Sequence, residues 1–184
     1  MPQIDRYDRI FGLAIGIEKY DSHEGLDNLD GVKPTLENVE KWMKQEVGIP
    51  DDDFDCQTDV SAGEIDTLVR KLGDDVNAAV KNAEVVGVIV YLAGHGKRGE
   101  DESKLASFFA NPDIFPFLRI QKEYQTYLVN AHHVLFILDC CHSGEALQPA
   151  DASTNVEPPR SAPTSDAYYK KACLLYTSPS PRDS

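Results

Sequence analysis

The chain has 184 residues, 18 Lys and Arg against 31 Asp and Glu, a formal charge of -13 and 41% hydrophobic residues. A chain of this length buries roughly two-thirds of its unfolded surface, which excludes dependence on a disulfide scaffold, and its acidity excludes nucleic acid as the main partner, because phosphate contacts need a basic surface. No run approaches the roughly 20 apolar residues of a membrane span, and the opening MPQIDRYDRIF lacks the regions of a signal peptide. A cytoplasmic protein with no membrane partner is therefore expected, with its four cysteines (Cys56, Cys140, Cys141 and Cys173) reduced.

In chain order, residues 10–17 (IFGLAIGI) are β-branched and apolar on both faces, as a strand inside a parallel sheet must be. Val32, Leu36, Val39 and Met43 mark one face of a helix whose first turn tolerates Pro34. Residues 54–57 make a short second strand. A second helix opens on Ser61-Ala62-Gly63-Glu64, a capping box, and continues through Ile65, Leu68, Leu72 and Val76. Residues 85–93 (VVGVIVYLA) form the third strand, Phe117, Ile120, Tyr124 and Leu128 suggest a third helix, and residues 134–138 (VLFIL) form the fourth strand. Residues 149–184 then hold 6 of the 11 prolines and 9 Ser or Thr in 36 positions, the composition of a tail. The reading divides the chain into a folded domain over 1–147 and a Pro/Ser/Thr-rich linker or tail over 148–184. Its last twelve residues, CLLYTSPSPRDS, resemble translated adaptor sequence.

The alternation βαβαβαβ predicts an α/β fold, a mostly parallel sheet with helices on both faces. Active groups in such sheets gather beyond the carboxyl ends of the strands. Two polar clusters stand there: Gly94-His95-Gly96 after the third strand, and Asp139-Cys140-Cys141-His142-Ser143-Gly144 after the fourth. A thiol is a strong nucleophile as thiolate, and an imidazole can take its proton. The glycines flanking His95 let backbone N–H groups approach a substrate carbonyl, so those of Gly96 and Cys141 are candidate oxyanion donors. Adjacent Cys-Cys-His lacks the spacing of a structural zinc site, and no metal is assigned.

YLAGHG and DCCHSG, with Cys141 46 positions after His95, resemble the catalytic motifs of metacaspases and other caspase-like cysteine peptidases (peptidase C14), whose spacing is near 50. LAIGIEKY and Leu29-Asp30-Gly31 extend the likeness over about residues 10–147. The resemblance implies a caspase-like three-layer fold and proteolysis by a hydrolase of the thiol protease kind, a cysteine-type endopeptidase with a His95–Cys141 dyad. By matching the pattern Asp-x-Cys-x-Ser-Gly, Cys141 takes the nucleophile's position, Cys140 the variable one and Gly96 that of an oxyanion donor. Asp139 falls where a pocket carboxylate would receive Arg or Lys before the scissile bond, so the implied substrates are peptides or proteins with basic residues.

Some positions depart from the family. Thr35 stands where metacaspases often carry a second pocket acid, and Gln121-Lys122 and Gln148 stand where Ca²⁺-binding acids are common. No cofactor is required for the chemistry, and Ca²⁺ activation is not supported; the acids Glu100, Asp101, Glu102 and Asp113 read as a solvated loop. The sheet is expected to stop after its fourth main strand, without the small-subunit half that completes the substrate groove, so slow turnover or none is expected of this chain. The alternative reading is a non-catalytic caspase-like module that binds or regulates a partner.

Overall fold

A computed structural model of the chain describes residues 7–21, 25–82, 84–97, 107–110, 114–116, 124–140 and 175–177. The main sheet has five parallel strands, in the order β2 (Phe54–Thr58), β1 (Arg9–Gly16), β3 (Val86–Ala93), β7 (His133–Asp139) and β8 (Leu175–Thr177). The two-faced apolar runs are the inner strands: every residue of β3 is buried, whereas the edge strand β2 is half exposed. α1 (Val32–Trp42) and α2 (Ala62–Lys81) cover opposite faces. Phe11, Leu13, Ile15, Val88, Val90, Phe136 and Leu138 pack with Ile65, Leu72 and Val76 of α2, and Ala14, Ile89, Tyr91 and Ala93 pack with Val32 and Leu36 of α1. This is the expected caspase-like three-layer arrangement.

Local chemistry sets the helix ends. The Ser61 hydroxyl accepts from the Glu64 N–H at 3.2 Å, and the Glu64 carboxylate accepts from the Ser61 N–H at 2.8 Å, closing the capping box. α1 continues as a π-helical turn, Met43–Val47, and stops at Gly48, whose φ of 83° suits a residue without a side chain. Arg9 fastens the start of β1, donating from Nε and a terminal nitrogen to both carboxylate oxygens of buried Asp53 at 2.8 and 2.6 Å.

Three features differ from the sequence expectation. A small antiparallel sheet, β4 (Gly96–Lys97), β5 (Ser107–Phe109) and β6 (Ile114–Pro116), follows β3. The part of the expected third helix that lies in the described residues is a π-helical turn, Tyr124–Leu128, whose Leu128 is fully buried. β8 pairs with β7 inside the stretch read as tail, because Tyr and Thr are strand formers and the β7 edge offers unpaired backbone groups. The rest of that stretch, 141–174 and 178–184, lies outside the described residues.

Gly73 of α2 faces the π-helical turn so closely that a Cβ there would meet the Tyr127 Cβ at 2.7 Å and its carbonyl oxygen at 2.8 Å. Alanine gains about 1 kcal/mol of helix propensity. Overpacking against backbone costs about 1–3 kcal/mol, so the clash outweighs that gain. Gly73→Ala is expected to lower the urea midpoint; an unchanged or raised midpoint would refute the close packing.

Candidate active site

β1, β3 and β7 deliver their carboxyl ends together. Ala93 of β3 lies opposite Asp139 of β7, and the Gly94 N–H donates to the Asp139 carbonyl at 3.2 Å. The two polar clusters therefore begin level with one another, with His95 two positions beyond Ala93 and Cys141 two positions beyond Asp139.

The segment after β1 is shaped by side chains that satisfy its backbone. Asp59 holds a left-handed φ of 54°, which aspartate tolerates better than most residues, and its Oδ1 accepts from the N–H groups of Glu18 and Lys19 at 2.8 Å each. The Glu18 carboxylate accepts from the Lys33 N–H in the first turn of α1 at 3.2 Å, where the helix dipole favours an anion. Asn28 accepts from the Tyr20 N–H at 2.7 Å. These bonds deliver Tyr20 and Asp27 to His95.

Tyr20 is 1% exposed. Its hydroxyl donates to the Ile17 carbonyl at 2.9 Å and accepts from the His95 backbone N–H at 2.7 Å. The two rings meet edge to face with centroids 4.6 Å apart. Burial pushes the Tyr20 phenol well above its usual range, the His95 N–H pulling the other way, so it stays a donor at neutral pH. The His95 Nε2 lies 3.0 Å from the Asp27 carbonyl oxygen. A carbonyl only accepts, so Nε2 is the donor in this contact, and in the tautomer with its proton on Nε2 the ring's free lone pair lies on Nδ1.

Asp139 is half-buried, and its Oδ2 accepts from the Tyr91 hydroxyl at 2.8 Å. Burial first, and then the Asp139 carboxylate, raises the Tyr91 phenol. Cys140 is 6% exposed and packs in the core on the α2 side, opposite to the Asp139 and Tyr91 face. Cys56 is half-buried, and burial followed by the nearby Glu40 raises its thiol, which disfavours the thiolate. Gly96 opens β4 opposite Phe108. Cys141 lies outside the described residues, as do Glu100, Asp101, Glu102 and Asp113. Among the described residues no three His, Cys, Asp or Glu gather as a metal-ligand set, and no helix is long and apolar enough to cross a membrane.

Three residues of this site carry signals that the sequence pattern does not resolve into roles. Tyr20 stands in LAIGIEKY without declaring its partner. Asp27 acts through its backbone carbonyl, which any residue supplies, and Tyr91 sits within an apolar strand.

A histidine held at the carboxyl end of a central parallel strand, level with the end of its neighbour, defines an α/β domain with a strand-end polar site. The model of the caspase domain (Peptidase C14) matches residues 10–181, and the chain belongs to that family. The solved structure described as "structure of pro-sf-caspase-1" is similar in fold, with a TM-score of 0.51 and 14% identity over 73% of this chain and 52% of that one. The chain thus spans about half the length of that structure. No curated protein matches it in sequence.

Proposed function

We propose that the chain is a cysteine endopeptidase of metacaspase type that cleaves after Arg or Lys. The observation that carries this reading is the contact of His95, whose Nε2 donates to the Asp27 carbonyl and in that tautomer leaves the free lone pair on Nδ1, beside the level ends of β3 and β7. His95 takes the proton of the Cys141 thiol, and the thiolate sulfur attacks the peptide carbonyl carbon. The N–H groups of Gly96 and Cys141 stabilise the resulting oxyanion. The C–N bond then breaks, and the amine leaves with the proton from His95. Water, losing a proton to His95, hydrolyses the thioester, and the thiol is restored.

Asp139 supplies the pocket charge in this reading. A partly buried carboxylate attracts a cationic side chain and repels an acidic one, which favours cleavage after Arg or Lys over cleavage after Asp. His95, Asp139 and Cys141 are all present in the chain, so its thiol is expected to react with electrophilic peptides even where turnover is slow.

The test is covalent labelling of the chain by peptidyl ketones that differ only in the residue before the reactive carbon, followed by intact mass. The Arg probe is expected to outpace the Asp probe, and Asp139→Ala to cost the Arg probe on the order of 2 kcal/mol. Equal rates for both probes would overturn the specificity, and failure of every probe would overturn the peptidase reading.

A further inference from the structure

We propose that Tyr91 is a positioning residue for substrate specificity, fixing the Asp139 carboxylate so that it meets a basic side chain with its charge intact. This rests on the reading of Asp139 as the pocket acid. β3 is otherwise apolar (VGVIVYLA), every residue of it is buried, and Tyr91 is 5% exposed. Phenylalanine would fill that space without bringing a hydroxyl out of water, and a buried hydroxyl is tolerated only with a partner. Its partner is Asp139 Oδ2 at 2.8 Å. Tyr91 pairs in register with Ile137, two positions before Asp139, so phenol and carboxylate share the α1 face and the bond runs along the strands toward their carboxyl ends.

The nature of the donor matters as much as its place. Arg9, Lys44 and Lys71 neutralise Asp53, Glu40, Asp51 and Asp55, whereas among the described residues no cation pairs with Asp139. A cationic partner would have satisfied the carboxylate and competed with a basic substrate. A neutral phenol orients it and leaves the negative charge for the ligand. The raised phenol stays protonated at neutral pH and so remains a donor to Oδ2 there. Holding Oδ2 also removes the side-chain freedom that would otherwise be lost on binding.

The test uses the full chain and three probes: iodoacetamide, read at Cys141 by peptide mapping so that it reports that thiol without the pocket, and two peptidyl ketones with Arg or its uncharged analogue citrulline before the reactive carbon. Wild type, Tyr91→Phe, Asp139→Ala and the double variant are compared by labelling rate. Tyr91→Phe is expected to lower the Arg-to-citrulline ratio about tenfold, in line with loss of one hydrogen bond to a charged group, with the iodoacetamide rate unchanged. On the Asp139→Ala background the same change is expected to have no further effect on the ratio. If Asp139→Ala lowers the ratio and Tyr91→Phe does not, Tyr91 has no positioning role and the pocket reading stands. If Asp139→Ala leaves the ratio intact, the pocket reading fails and this inference with it. A fall in the Tyr91→Phe iodoacetamide rate that matches the fall in the Arg rate would make the hydroxyl a structural support and overturn its role in specificity.

Discussion

Cys141→Ala is expected to abolish labelling by the Arg-directed ketone and any peptide cleavage, a loss on the order of 10⁴-fold or more when the nucleophile of a dyad is removed. Cys140→Ala is expected to leave most of the reactivity. Adjacent residues leaving a strand face opposite ways, and Cys140 is 6% exposed, packed on the α2 side of the sheet with Leu138 and Phe136. A thiol that deep in the core is inaccessible to a peptide. Cys56 fails for a related reason: burial raises it, and Glu40 opposes a second negative charge. Peptide mapping of the labelled chain checks the assignment. Label on Cys140, or full activity in Cys141→Ala, would reverse it.

The parts of the fold that were readable in the sequence are those where burial leaves a one-dimensional trace. β1 and β3 are covered by helices on both faces, which removes polar alternation and leaves continuous apolar runs. The start of α2 was readable because Ser61 and Glu64 serve each other within four residues. His95 was readable as a candidate because glycines flank it at a strand end. What holds His95 was not: the bond from its N–H to Tyr20 spans 75 positions, and the Asp27 carbonyl has no side-chain identity to read. The small sheet β4–β6 and the strand β8 were unreadable for another reason. Strands of two or three residues are too short for period-2 alternation to stand out, and their existence depends on neighbours that the local sequence does not name.

Tyr20→Phe is expected to do more harm than the loss of one oxygen from a buried ring suggests. The hydroxyl is the shared partner of the Ile17 carbonyl and the His95 N–H, so its removal leaves an acceptor and a donor unpaired beside the core. Each unpaired buried group costs about 1–3 kcal/mol, and the urea midpoint is expected to fall accordingly. The larger consequence is chemical. The His95 ring is held by the hydroxyl at its backbone, by the edge-on Tyr20 ring and by the Asp27 carbonyl at Nε2; the substitution keeps the second and removes the first. Displacing a catalytic base by about 1 Å can cost on the order of 10²-fold in rate. A thiol paired with a well-placed imidazole titrates below the free value of about 8.5. Loss of that pairing raises the midpoint of the alkylation profile toward the free value, so reactivity is expected to fall near neutral pH and to recover in alkaline solution. A substitution that only loosened the fold would lower stability without moving the midpoint. Iodoacetamide rates at Cys141 across pH, measured by peptide mapping where both proteins are folded by circular dichroism, separate the two cases: an unmoved midpoint in Tyr20→Phe would show that the edge-on ring and the Asp27 carbonyl are enough to place His95.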